Sequence, residues 1–200
     1  MDDAIERLYE AIARGELREE DLSTRRIAGF LDRTTGAVYH RWGSLDGVLF
    51  AVSQRGFAAL AERLLASWTR SRDLADCAEV FVAFGLEHPV LYASMLERHY
   101  DWGALRAAGA FAGPTPGSAL LAQVVCLLRE AGAAEPVEDT RLLMAGLHGI
   151  VSFAASGRMN AGELSASDRD VAIATARGLA RRLSPERPRA ARPAKEKKKR

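Results

Sequence analysis

The sequence predicts an all-α fold, and three observations carry that prediction. Every segment with an apolar rhythm repeats at the helical spacing of i, i+3, i+4 and i+7. No run of alternating apolar and polar residues between turn signals stands out as a strand. A hydrophobic content of 48% in 200 residues is ample for a core of packed helices, in one or two domains.

The first helix is expected from Asp3 to about Arg14, where Ile5, Leu8, Tyr9 and Ile12 share a face and Gly15 offers a stop. Ser23 or Thr24 caps the second, whose apolar stripe is Ile27, Ala28 and Leu31. Asp32-Arg33-Thr34 breaks it, because Asp tolerates the left-handed conformation that a short interhelical turn needs. Thr34 or Thr35 restarts the chain, with Val38, Tyr39 and Trp42 as the next apolar face. Ser44 then caps a helix running through Leu45, Val48, Leu49, Val52, Phe57, Leu60 and Leu64 to about Trp68. That unbroken stripe predicts a rigid connection between head and body.

Residues 72–87 form a helix bearing Leu74, Phe81 and Phe84, and Pro89 opens the next through Val90, Leu91, Tyr92, Met95 and Leu96. Residues 104–117 are rich in Gly, Ala and Pro and read as a loop. An apolar helix over 118–130 stops at Gly132, and helices over 137–157 and 167–183 close the fold. The expected domains are residues 1–50 as the head, 51–184 as the helical body and 185–200 as a disordered basic tail. No internal repeat is visible.

The net charge of +2 hides an asymmetry. Residues 185–200 hold eight Lys or Arg against two Glu, so they carry +6 and leave −4 on the rest. All four lysines lie between Lys195 and Lys199. Within the body, Arg25, Arg26, Arg33 and Arg41 face only Asp32 over residues 23–44, a local +3. A positive island on an acidic chain suits a protein that meets a polyanion with one end.

Cys77 and Cys126 make neither a disulfide framework nor a metal-ligand cluster, which fits a reducing cytoplasm. Asp2 and Asp3 are wrong for a secretory leader, and no stretch approaches the roughly 20 apolar residues of a membrane span. The expectation is a cytoplasmic protein without membrane contact. His40, His88, His99 and His148 are scattered, and no Gly-rich phosphate loop or Gly-x-Ser-x-Gly elbow appears. Asp73, Asp76 and Glu79 share a helix face, a spacing usual for a solvated surface. The sequence therefore does not read as an enzyme, and no cofactor or metal is expected.

Two short helices about so tight a turn, followed at once by a longer one, fit a helix-turn-helix whose second helix enters the major groove of DNA. At these residues the chain resembles the TetR family of transcriptional regulators. Ile27-Ala28, Gly36, Val38-Tyr39, Trp42, Ser44 and Val48-Leu49 stand where that family has Ile-Ala, Gly, a hydrophobe plus Tyr, an aromatic, a small residue and two aliphatics. Three departures are visible. Asp32 and Arg33 replace Gly and a hydrophobe, Leu45 replaces a phosphate-binding Lys, and the N-terminal arm is acidic. Thr24, Arg25, Arg26, Thr34, Thr35, Gly36, Ala37, Tyr39, His40, Arg41 and Ser44 are the candidate DNA contacts. Short side chains let backbone approach DNA, while Tyr39, His40 and the arginines can bond phosphates or base edges.

A second resemblance lies in the body. His148-Gly149-Ile-Val-Ser-Phe with Gly157-Arg158-Met159, and His88 to Tyr92 through Met95, resemble one TetR ligand-domain subtype, without its frequent Trp upstream of His-Gly. The resemblance implies a homodimer joined by a four-helix bundle of the last two helices. Gly146, Gly149, Ala154 and Gly157 permit close approach there, with Phe153, Ala172, Ala176 and Leu179 as further interface candidates. It also implies a small-molecule effector, with Phe81, Phe84, Tyr92, Met95, Trp102, Met144, Leu147 and His148 as candidate pocket residues. Taken singly, each of these is better explained as core, and only the group suggests a pocket. Three readings stay open: an effector-responsive dimeric repressor on a double-stranded operator, a helical small-molecule binder whose head has lost DNA binding, and a dimeric DNA-binding protein without effector.

Overall fold

A computed structural model describes residues 2–159 and 166–183; the basic tail expected over 185–200 lies outside them. All regular structure among the described residues is helical: α1 (Asp3–Ala13), α2 (Thr24–Phe30), α3 (Thr35–Trp42), α4 (Leu45–Ser71), α5 (Leu74–Glu87), α6 (Pro89–Tyr92), α7 (Trp102–Ala107), α8 (Pro116–Ala131), α9 (Pro136–Ala155) and α10 (Asp168–Leu183). A 3-10 turn covers Glu19–Asp21, and α6 continues as a wider π turn over Ala93–Glu97.

Side-chain oxygens start the head helices. Asp2 accepts from the Ala4 N–H at 3.2 Å, Ser23 from Arg26 at 3.4 Å, Thr34 from Ala37 at 3.2 Å and Ser44 from Gly47 at 3.0 Å. Asp32 holds φ 54° in the turn between α2 and α3, the left-handed position expected of it. Ile5, Leu8, Ile12, Ile27, Leu31, Val38, Val48 and Leu49 fill the centre of the head. The turn into α4 is tighter than the sequence suggests. A Cβ on Gly47 would overlap the carbonyl oxygen of Trp42, so only glycine lets the first turn of α4 sit against the end of α3.

In the body α4 packs on α5 and α8, α9 on α8 and α5, and α10 on α5 and α9. Phe81, Phe84, Leu60, Leu91, Leu120 and Leu128 are fully buried among them. Two side chains brace head to body. The Arg55 guanidinium on α4 donates to both Glu6 oxygens, Nε at 2.7 Å and Nη2 at 3.0 Å, and lies 4.5 Å over the Tyr9 ring. His88, at the end of α5, meets the Ala13 carbonyl through Nδ1 at 2.9 Å.

Two expectations need correction. The stretch read as a loop over 104–117 contains most of α7 and the start of α8. Asp101 caps α7 by accepting from Ala104, and Thr115 caps α8 with Pro116 at its first position. Composition hid both helices, because the Gly and Pro residues read as a loop while the alanines beside them favour helix. Gly157 does not share a helical stripe with Gly149: α9 ends at Ala155, and Gly157 turns the chain at φ 67°.

Candidate nucleic-acid interface

The outer face of α3 is built by its inner one. Val38 is fully buried, which pins the helix to α2 and α4 and turns the rest of it outward. Thr34, Thr35, Gly36, Tyr39, His40 and Arg41 are exposed and Ala37 half-buried, with the Tyr39 side chain 52% exposed. Arg33, Gly36, Ala37, His40 and Arg41 line one concave surface there. Thr24 is the first residue of α2, with Arg25 and Arg26 exposed behind it. The hydroxyl oxygens of Thr34 and Ser44 already accept backbone N–H groups as caps, which orients both side chains.

Not every arginine is equally available. Arg26 bonds Asp21, Nε at 3.1 Å and Nη2 at 3.0 Å. The Asp21 carboxyl is held below the usual range by the Arg18 backbone N–H and then by Arg26. Arg41 is gripped by Asp2, whose two oxygens take Nε at 3.0 Å and Nη2 at 2.9 Å. Arg25 and Arg33 make no ion pair among the described residues. Arg33 belongs with the candidate contacts, and its place in the +3 cluster was the signal for it. The Asp2–Arg41 pair spans 39 residues and left no trace in the sequence pattern.

The body residues fall into two groups. Phe81, Phe84, Tyr92, Met95 and Leu147 are buried, with Met144 and His148 partly so. The Tyr92 hydroxyl meets His148 Nδ1 at 2.9 Å, and burial raises its pKa well above that of a free phenol. Phe81, Met144 and Leu147 border a void of only about 20 Å³, close to the smallest space that holds one water. Trp102 does not join them. It is 57% exposed, edge-on to Phe50 at 5.7 Å and 6.2 Å from Phe111, in an aromatic cluster beneath the head.

Beside that cluster opens a cleft of about 490 Å³ between α1, α3, α4 and the segment from Ala110 to Pro116. Ile5, Trp42, Phe50, Ala58, Phe111 and Pro114 form much of its wall. Sequence reasoning missed it, since its walls come from four separate stretches of chain.

The interface candidates also divide. Ala172 and Ala176 have no exposed surface within one chain, because α10 packs that side on α5 and α9. Gly146 is tight against Leu179 of the same chain, where a Cβ would strike the leucine methyl. These four residues join α9 to α10 within the protomer. A Cβ added to Gly149 would meet nothing within 4 Å, and Phe153 is 59% exposed. With Leu142, 60% exposed, they form the outward stripe of α9.

An all-helical body carrying a small three-helix head with an outward-facing helix after a tight turn is the architecture of a helix-turn-helix regulator. The family profile described as tetracyclin repressor-like, C-terminal domain, matches residues 74–183, and the chain belongs to that family, known as TetR. A protein of unknown function from Rhodococcus sp. RHA1 is similar over 92% of this chain and 97% of its own, with TM-score 0.65 and 22% identity. A TetR family transcriptional regulator, PfmR from Thermus thermophilus, is similar over 93% of this chain and 100% of its own, with TM-score 0.53 and 17% identity. At these identities the likeness is one of fold. No curated protein matches the chain. Among the described residues no single helix is long and apolar enough to cross a membrane, and no cluster of His, Cys, Asp or Glu is arranged to hold a metal.

Proposed function

We propose that this protein is a homodimeric repressor that binds a pseudo-palindromic operator through α3 and leaves it when a small molecule binds. The observation that carries the reading is the division of α3 into a buried Val38 and an exposed face of Thr34, Thr35, Gly36, Tyr39 and His40 beside the unpaired Arg33. Gly36 brings the backbone close to the groove, and Tyr39 and Arg33 offer donors to phosphate. Dimerisation through α9 is supported by the stripe of Leu142, Gly149 and Phe153, too apolar to suit a solvated helix face. An effector acts by binding one arrangement of head and body better than the other, and that difference sets the loss of DNA affinity.

The test is fluorescence anisotropy with duplex DNA from upstream of the protein's own gene, against scrambled duplex. Tyr39→Phe keeps the fold, since the ring is half in solvent, and removes one hydroxyl. Loss of a hydrogen bond to phosphate, worth about 1.5–3 kcal/mol, weakens binding roughly 10- to 150-fold for each head that carries the contact. Equal affinity of parent and Tyr39→Phe would remove the hydroxyl from the interface. Equal affinity of the parent for both duplexes would refute operator recognition at this site.

A further inference from the structure

The void among the body's aromatic residues is too small for an effector, whereas the cleft beneath the head has the size of a small-molecule site. We infer that the cleft between α1, α3, α4 and the Ala110–Pro116 segment binds a neutral, planar aromatic compound. Its meaning as an effector site rests on the repressor reading above; its existence as a binding site does not.

Shape and chemistry agree on the ligand class. The walls are largely apolar and include the rings of Trp42, Phe50 and Phe111, with Ile5, Ala51, Ala58 and Pro114 beside them. The charged groups at the wall are matched, Asp2 with Arg41 and Arg55 with Glu6, so the cleft offers no unbalanced charge to an ionic ligand. The Arg55 guanidinium is turned to Glu6 and the Tyr9 ring: Nε and Nη2 bond Glu6, and the group lies 4.5 Å over the ring.

The position of the cleft couples occupancy to the head. Trp42 is the last residue of α3, and a Cβ on Gly43, the residue after it, would stand 3.3 Å from the Ala108 methyl. The opposite wall is anchored in the body: Phe111 packs on Phe50 at 5.5 Å, and the Gly117 N–H donates to Gln54 Oε1 at 3.0 Å. A ring wedged between Trp42 and Phe111 therefore touches the recognition helix and the body at once.

The experiment is calorimetric titration of the full chain with 2-acetylnaphthalene, and with 2-naphthoate as the anionic probe of similar shape. Ala58→Trp fills the cleft from a half-exposed position on α4, and Phe111→Ala removes the opposite ring; melting curves confirm that each variant folds. The expected result is saturable binding of 2-acetylnaphthalene by the parent, about tenfold weaker or absent in both variants, and about tenfold weaker for 2-naphthoate. Absence of binding to the parent, or unchanged affinity in Ala58→Trp and Phe111→Ala, overturns the site and leaves the DNA reading untouched. Equal affinity for both probes overturns the assignment of a neutral ligand. Anisotropy with operator DNA separates the two readings: a probe that binds the cleft of a protein with no DNA affinity upholds the site and refutes the repressor.

Discussion

The replacement Asp2→Asn measures how far the acidic arm restrains the recognition helix. In the free protein Arg41 is held by both oxygens of Asp2, at 2.9 and 3.0 Å, and it must be released, wholly or in part, to reach a phosphate. The two side chains are 48% and 26% exposed, so the pair is screened and worth about 0.2–1 kcal/mol. Asparagine caps a helix as well as aspartate does, so α1 keeps its start while the charge disappears. For two heads on one operator the gain is about 0.4–2 kcal/mol, or roughly 2- to 30-fold tighter binding. If each freed arginine takes a phosphate, the log–log salt slope steepens by about 0.9 per head. The assay is anisotropy of parent and variant on operator duplex across several salt concentrations. Unchanged or weaker binding, with an unchanged slope, would refute the claim that Asp2 competes with DNA for Arg41.

Three further outcomes are expected. Gly149→Leu meets empty space within its own chain, so the protomer folds; at a dimer interface it overpacks by about 1–3 kcal/mol and weakens association roughly 5- to 150-fold, while an unaltered dimer in sedimentation would exclude this face. The Asp76 carboxyl is held below its usual range by the Ser71 hydroxyl and then by Arg177, so it favours the fold above its unfolded pKa and loses that contribution as pH falls through the lower folded value. Asp76→Asn therefore lowers stability at neutral pH and flattens the decline below about pH 4, and parallel acid limbs in urea titrations would contradict it. Burial pushes the Cys77 thiol up to about 11 while Cys126 is exposed, so at pH 8 a thiol reagent modifies one cysteine promptly and the second only in denaturant; two fast equivalents would show that Cys77 is not enclosed.

Most of the helical frame was legible because its signals are local. The caps at Ser23, Thr34 and Ser44, the left-handed Asp32, Pro89 at a helix start and Gly132 at an end each act within four residues of themselves. What escaped was set by distance. Ala172 and Ala176 look like small interface residues in sequence, and only the packing of α10 against its own chain shows them as core. Trp102 and Phe81 belong to one aromatic class by sequence, yet the fold puts the first under the head and the second in the body. The acidic arm read as a missing phosphate contact, and the structure makes it the counter-ion of Arg41.

The close seating of Gly47 on the Trp42 carbonyl makes α3 and α4 turn together, and α4 is long. Its 27 residues, at 1.5 Å each, span about 40 Å. A tilt of about 6° pivoting at its far end carries α3 sideways by about 4 Å. In the proposed dimer, two heads moved apart in this way change their separation by about 8 Å, against the roughly 34 Å between successive major grooves. The longest helix is in this sense a lever arm, and the absence of a side chain at one glycine is what fixes the tool to its handle.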